Sequence, residues 1–323
     1  MNFLKAFGRL GGRERGLAEL ARWLGLPETE LRPWLSSAPA WARGYDYTRF
    51  TIPKRRGGAR TIDAPGDKLK ALQRRVHQRL LAGLKLNPAA TGYVRGRSIV
   101  DNARPHTQQA VVINVDLADF FPSITADRVK AVWRAHGWND EAATALTHIC
   151  TLDGRLPQGA PTSPALSNLV CRRLDKRLSE LARRCAGAYT RYADDLTLSL
   201  PSLGRNRRRR PGPPRSGPAQ PRLAQRARHS RKIITQLREI IEAEGFRIQW
   251  KKRLRLQRAH QRQTATGLVV NAVVNLPRAT RRLIRAMQHR DRLGQLDEAG
   301  RRRLQGLVNL QQMVLKQRNS TGR

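Results

Sequence analysis

Two short apolar runs that each end on acid constrain this chain more than anything else in it. "AVVINVDLADFF" (110–121) is a strand-length run rich in β-branched and aromatic residues, closing on Asp116 and Asp119. "YTRYADDLTLS" (189–199) sets Asp194 and Asp195 directly before a stretch in which Leu196 and Leu198 alternate with Thr197 and Ser199, the pattern of a half-buried strand. Like charges side by side repel, and neighbours on a strand point to opposite faces. A turn over Ala193–Asp195 escapes that alternation and lets both aspartates face one side. If the strand ending at Asp116 lies beside this hairpin, three carboxylates converge and need a cation. Oxygen ligands suit Mg²⁺. Two such ions, about 3.5–4 Å apart, clamp the attacking and leaving oxygens of an in-line phosphoryl displacement. Taken alone, a pair of aspartates in a turn is more simply a turn former.

The charge balance points the same way. Lys and Arg number 63 against 24 Asp and Glu, a net charge of +39. A folded chain with that imbalance repels itself unless a polyanion neutralises it, and nucleic acid, held through phosphate contacts, is the first candidate. An anionic membrane surface fits less well, because the arginines are spread along the chain and not along one amphipathic helix. Arginine bias in a GC-rich genome accounts for part of the excess. No apolar run of about 18 residues exists to span a membrane, and "MNFLKAFGRLGGRERG" has neither the long apolar segment nor the cleavage site of a secretory signal. Cys150, Cys171 and Cys185 are far apart with no CxxC, so neither a disulfide framework nor a zinc knuckle is expected, and a reducing cytoplasm is.

Helical spacing appears in "GLAELARWLGL" and "ETELRPWL" within residues 1–45. "YTRFTIPKRRGGARTIDAP" reads as a hairpin turning at Gly57–Gly58. Residues 67–84 form an amphipathic helix with Asp67 as N-cap and Leu69, Leu72, Val76 and Leu80 inward. "SITADRVKAVWRAHG" is a helix closed at Gly137, and 163–184 is a second, with Pro164 in its first turn. Residues 201–228 are rich in Arg and Pro, contain no acid, and read as a solvated mobile loop. That loop is either a tolerated surface insertion or an electrostatic arm along a nucleic-acid backbone. A helix ending at Gly245 follows, then short strands around "FRIQW" and "TGLVVN", then basic helices over 277–323.

"VDLADFFPSI" (115–124), "GRLPQGAPTSPALSNL" (154–169) and "YADD" (192–195), in this order, resemble the central motifs of reverse transcriptases. The resemblance covers roughly residues 45–290. It implies an α+β right-hand polymerase of fingers, palm and thumb, with an antiparallel palm sheet and a mostly helical thumb. The divisions would be an N-terminal helical segment (1–45), fingers (46–112), palm (113–276, with further fingers elements at 137–160 and the insertion at 201–228) and an RNA-binding thumb (277–323). It implies that Asp116, Asp194 and Asp195, with the carbonyl of Leu117, hold two Mg²⁺ ions. Phe121 would sit under the sugar and exclude a ribose 2′-hydroxyl. Gln158 and Gly159 would line the nucleotide and template pocket, and Lys54 and Arg60 would hold the triphosphate. Lys252 would act as general acid toward pyrophosphate. Outside that context Phe121 is an ordinary core aromatic, and the three basic residues are three among 63.

"SIVDNARPH" contains Asn102 and His106 in an NAxxH arrangement that resembles the extra region of bacterial retron reverse transcriptases. "TATGLVVN" resembles their VTG segment, with Ala265 in place of Val ahead of Thr266 and Gly267. Asn102, His106, Thr266 and Gly267 are then candidates for contact with RNA. The plainer readings are that Asn102 and His106 satisfy a helix and that Gly267 marks a strand bulge. No maturase, endonuclease or ribonuclease H segment is recognisable in these residues. The insertion and "IQWKKR" depart from the family pattern. The resemblance implies a cytoplasmic enzyme that binds a cognate structured noncoding RNA, consumes deoxynucleoside triphosphates and leaves a short DNA joined to the RNA, commonly beside an effector protein in anti-phage defence. Other readings are a group II intron or other defence-associated reverse transcriptase, and an RNA-binding protein with a decayed palm.

Overall fold

The apolar periodicities of the sequence become elements as follows, in a computed structural model that describes residues 14–36, 46–54, 57–201, 220–249 and 254–319. In chain order these are α1 (Leu17–Leu24), α2 (Glu28–Leu31), β1 (Tyr47–Pro53), β2 (Ala59–Pro65), α3 (Asp67–Val76), α4 (Ile99–Ala103) and β3 (Val111–Asp116). There follow α5 (Ala126–Ala135), α6 (Asp140–Cys150), α7 (Ser163–Val170), α8 (Arg172–Arg184), β4 (Ala188–Tyr192), β5 (Asp195–Leu200) and α9 (Gln220–Ala243). The chain ends through β6 (Arg255–Arg258), β7 (Thr264–Ala265), β8 (Leu268–Val269), α10 (Arg278–Arg292) and α11 (Glu298–Asn319). The class is mixed α and β, and the strands pair antiparallel throughout the three sheets.

Two compact units divide these elements. The first comprises residues up to Pro88, Ala118–Lys176 and Glu244–Phe246. Its α1 buries Leu17, Leu20, Ala21 and Leu24, a stripe at helical spacing, and stops at Gly25 in the left-handed conformation (φ 63°). Leu69, Leu72, Val76 and Leu80 all turn inward as expected. Asp67 is not the cap, however. Gly66 holds that position, and Asp67 stands in the first turn, where its charge favours the positive end of the helix dipole. Gln73, fully buried in α3, donates to the Ile149 carbonyl (2.8 Å) and to the Tyr47 hydroxyl (3.0 Å), tying α3 to α6 and β1. Residues 163–184 make two helices instead of one, broken at Cys171.

The second unit comprises Ala89–Leu117, Arg177–Ala243 and residues from Arg247 on. Its centre is a four-stranded sheet in the order β4-β5-β3-β6. A hydrophobic cluster joins Val100 and Ala103 of α4, Ala265 and Leu268 of the β7–β8 hairpin, Ile284 and Met287 of α10, and Leu304 and Val314 of α11. The helix before Gly245 begins at Gln220, inside the span expected to be a loop, while 202–219 lie outside the described residues. "FRIQW" contributes a single bridge, Ile248 to Leu117, in place of a strand, and the ladder on that side of β3 is completed by β6.

Candidate active site

The hairpin β4–β5 closes with Tyr192 opposite Asp195, leaving Ala193 and Asp194 as its two-residue loop. Ala193 has φ 56° and Asp194 has no positive φ, the signature of a type II′ turn, whose twist matches the flanking strands. On the other side of β5, Asp195 stands opposite Asp116, the last residue of β3. The Leu117 N–H donates to the Asp194 carbonyl (3.0 Å), so Asp116 and Asp195 form a non-hydrogen-bonded pair, the kind whose side chains stand closer. The sheet therefore brings Asp116 and Asp195 face to face at one end, with Asp194 one residue away in the turn. Asp119 lies beyond the strand, exposed and in the left-handed region (φ 46°).

Three contacts with no local sequence signal hold this turn. Arg191 is fully buried, and its Nη1 donates to the Ala193 carbonyl (3.3 Å). The segment 89–92 runs along the outer edge of β4, with the Arg191 N–H donating to Ala89 (2.8 Å) and the Thr91 N–H to Arg191 (2.9 Å). There Gly92 comes so close that a Cβ on it would meet the Ala193 nitrogen at 2.8 Å and Tyr192 backbone at 3.1 Å. Only glycine permits that approach.

The polar face of the hairpin is buried too, which corrects the half-buried reading: Leu196 to Leu200 are all inside. Asn102 and His106, both fully buried, cover it. The Thr190 hydroxyl donates to the Asn102 carbonyl (3.2 Å), so it accepts from His106 Nε2 (2.8 Å), and His106 Nδ1 accepts from the Ser199 hydroxyl (2.8 Å). His106 is thus a neutral Nε2–H tautomer bridging both strands, and desolvation pushes its pKa down to about 3. Asn102 Nδ2 donates to the Thr91 hydroxyl (2.8 Å), which donates to the Arg191 carbonyl (3.1 Å). Neither side chain reaches the surface. Thr266 Oγ1 donates to the Ile99 carbonyl (3.2 Å). Thr266 (φ 45°) and Gly267 (φ 81°) are the two left-handed residues of the β7–β8 turn, so Gly267 marks a tight turn and not a bulge.

The remaining candidates within the described residues belong to the first unit. Lys54 and Arg60 are exposed on the β1–β2 hairpin, where Arg60 pairs with Ile52 and the Lys54 N–H donates to Gly58 (2.9 Å). The Gln158 carbonyl accepts from the Asp63 N–H of β2 (2.9 Å). Gly159, at φ 138°, lies so near that a Cβ would meet the Asp63 carbonyl oxygen at 2.7 Å. Gln158 and Gly159 are thereby docked on the same hairpin that carries Lys54 and Arg60. Phe121 is half-buried, edge-on to Phe120 (centroids 5.3 Å). Lys252 lies outside the described residues.

Among the described residues, no three His, Cys, Asp or Glu side chains group as ligands of one ion. Asp116 and Asp195 nevertheless face each other, with Asp194 beside them in the turn. This all-oxygen set fits a hard divalent cation, and opposed like charges gain from one. No helix among the described residues is long and apolar enough to cross a membrane.

The family described as reverse transcriptase (RNA-dependent DNA polymerase) matches residues 52–264, well over half the chain. Its members generally use divalent metal ions. The chain is 38% identical over 318 residues to the retron Mx162 reverse transcriptase of Myxococcus xanthus, covering 89% of this chain and 62% of that protein. It is 37% identical over 314 residues to the retron Mx65 enzyme of the same organism, covering 92% and 67%. Against the retron Ec86 reverse transcriptase of Escherichia coli it is 43% identical over 161 residues, covering 49% and 50%. The chain thus spans about three fifths to two thirds of the Myxococcus relatives. A family match running through both aspartate-bearing segments, with relatives of one kind on either side of it, means that this chain belongs to the reverse transcriptase family, among the retron reverse transcriptases.

Proposed function

We propose that this chain is an RNA-directed DNA polymerase of the retron type. It copies part of a cognate structured noncoding RNA into a short single-stranded DNA, starting from an internal 2′-hydroxyl so that the product stays joined to the RNA. The observation that carries this reading is the pairing of Asp116 with Asp195, beside Asp194, at the end of a sheet inside the matched span. The sheet β4-β5-β3-β6 is the palm, β1–β2 with Gln158–Gly159 belongs to the fingers, and α10–α11 form the thumb.

In each cycle a hydroxyl oxygen of the RNA or the growing DNA attacks the α-phosphorus of a deoxynucleoside triphosphate. One P–O bond forms, the bond to pyrophosphate breaks, and the hydroxyl proton passes to solvent water. Asp116, Asp194, Asp195 and the Leu117 carbonyl would hold two Mg²⁺ ions, whose positive charge would offset the negative charge gathered on the reacting oxygens. Lys54 and Arg60 orient the triphosphate, Gln158 and Gly159 line the nucleotide and template pocket, and Phe121 excludes a ribose 2′-hydroxyl. Lys252 gives a proton to pyrophosphate. Thr266 and the exposed Gly267 turn meet the RNA, while Asn102 and His106, being buried, serve recognition by positioning. RNA base edges would be read in single-stranded parts, and an effector protein acting in anti-phage defence is the expected partner.

The test is a double substitution, Asp194→Asn with Asp195→Asn. Mg²⁺-dependent synthesis should disappear while the cognate RNA still binds with its normal salt dependence. Undiminished polymerisation would remove these residues from the reaction. Isolation of a branched RNA–DNA species with the wild-type protein separates the retron reading from other reverse transcriptases.

A further inference from the structure

Phe121 is the last ring of a stack that reaches deep into the first unit. Phe120, 5% exposed, stands edge-on to Phe121 with centroids 5.3 Å apart and planes at 60°. Behind it Phe246, 1% exposed, is stacked at 5.9 Å and 26°. The Arg128 guanidinium closes the far end, its carbon 4.4 Å from the Phe246 centroid. That cation is fixed in turn, because Nη2 donates to the Glu244 carbonyl (3.0 Å). The Glu244 carboxylate, itself buried, is paired with Arg173 Nε (2.9 Å). Gly245 turns left-handed (φ 77°) between Glu244 and Phe246, delivering the ring from the end of α9. Cation–π and aromatic contacts of this kind have preferred geometry, and buried ones resist displacement.

A residue that rejects one hydroxyl must be held to a fraction of an ångström, since a loose ring yields to the extra atom. We propose that Phe246 and Arg128 are positioning residues for sugar selection, setting through Phe120 how far the Phe121 ring can yield. This rests on Phe121 being the sugar gate. Neither residue needs to touch the nucleotide; Arg128 follows the motif in the next helix, while Phe246 comes from a segment remote in sequence from the motif it supports.

The experiment measures kcat/KM for incorporation of dGTP and of GTP on one RNA template, in the wild type, Phe121→Ala, Phe246→Leu and Arg128→Met. Leucine and methionine keep most of the volume, so these variants avoid the cavity that Phe246→Ala would leave in the core. Phe121→Ala should lose about a hundredfold in the dGTP-to-GTP ratio, and Phe246→Leu and Arg128→Met about tenfold, chiefly through a lower KM for GTP. A merely structural role would lower both nucleotides by one factor and leave the ratio unchanged. If Phe121→Ala shifts the ratio and the other two do not, the positioning role is overturned and the gate stands. If Phe121→Ala leaves the ratio unchanged, the gate falls and the proposal with it.

Discussion

The hairpins β1–β2 and β4–β5 are written in similar alternating sequence and reach opposite physical states. In β1 every residue after Tyr47 is exposed, including Phe50 at 44% and Ile52 at 46%, and the turn uses Gly57 and Gly58 at φ 86° and 80°. Glycine adopts such angles with no steric cost. In β5 the residues from Leu196 to Leu200 are buried, and the turn places an alanine at φ 56°. A non-glycine residue held there costs on the order of 1–3 kcal/mol and persists only where its surroundings over-determine it. Arg191, Gly92 and His106 are those surroundings. On the proposed reading, the hairpin that carries the metal-binding carboxylates is locked from several sides, and the one that carries the triphosphate-binding cations is left exposed and less constrained.

The strongest way to break that contrast is to put the same methyl group on each hairpin. Gly92→Ala drives a Cβ against backbone that cannot swing aside, whereas the Cβ of Gly57→Ala meets nothing within 4 Å and adds only the strain of its positive φ. Gly92→Ala should lower unfolding free energy by about 3 kcal/mol and DNA synthesis by about a hundredfold. Gly57→Ala should cost about 1 kcal/mol and leave synthesis within a few-fold. Urea unfolding and primer extension on both variants decide it. Equal losses would mean that the aspartate turn is no more constrained than the other.

What was legible in the sequence follows the same division. The strand to Asp116, the hairpin to Asp195 and the inward stripe of α3 were readable because their apolar spacing is local. Burial of Thr197 and Ser199 was not, because the side chains that satisfy them, Asn114 for Thr197 and His106 for Ser199, are more than 80 residues distant in sequence and a Thr/Ser alternation reads as a wet face. Arg191 reads as surface and is buried. Composition also misplaced the start of α9, since a basic stretch opening with Pro221 reads as loop, while proline is well tolerated in a first helical turn. Of the candidate site, the convergence of Asp116 with Asp195 and Asp194 was readable from the acids that adjoin two strand-like runs. Their supports Gly92 and Arg191 were not, because close backbone approach and buried cations leave no periodic trace.

His106 offers a middle-sized test of the lock, through pH. Its folded pKa is about 3 against an ordinary 6.5, so on acidification the unfolded chain takes up a proton that the folded chain refuses. The stability this site contributes is fully present above pH 6.5 and is lost progressively between about 6.5 and 3. At pH 5 the loss is about 2 kcal/mol relative to pH 7.5. His106→Gln keeps a donor and an acceptor but cannot titrate, so its stability should fall by about 2 kcal/mol less over that interval in urea unfolding. Parallel pH profiles for the two proteins would place His106 in a wetter, less determining position than the hairpin lock requires.

The smallest expected effect on stability belongs to the loose hairpin, and that is its significance. Lys54 is exposed, and its backbone is engaged in the turn to Gly57 and Gly58. Lys54→Ala should therefore change unfolding free energy by no more than about 0.5 kcal/mol. If Lys54 holds the triphosphate in ground and transition states alike, the same change raises KM for deoxynucleotides about tenfold with kcat nearly constant. A matched fall in kcat would place Lys54 in the transition state instead, and the β1–β2 hairpin would then have to close and lock during each addition as firmly as β4–β5 is locked at rest.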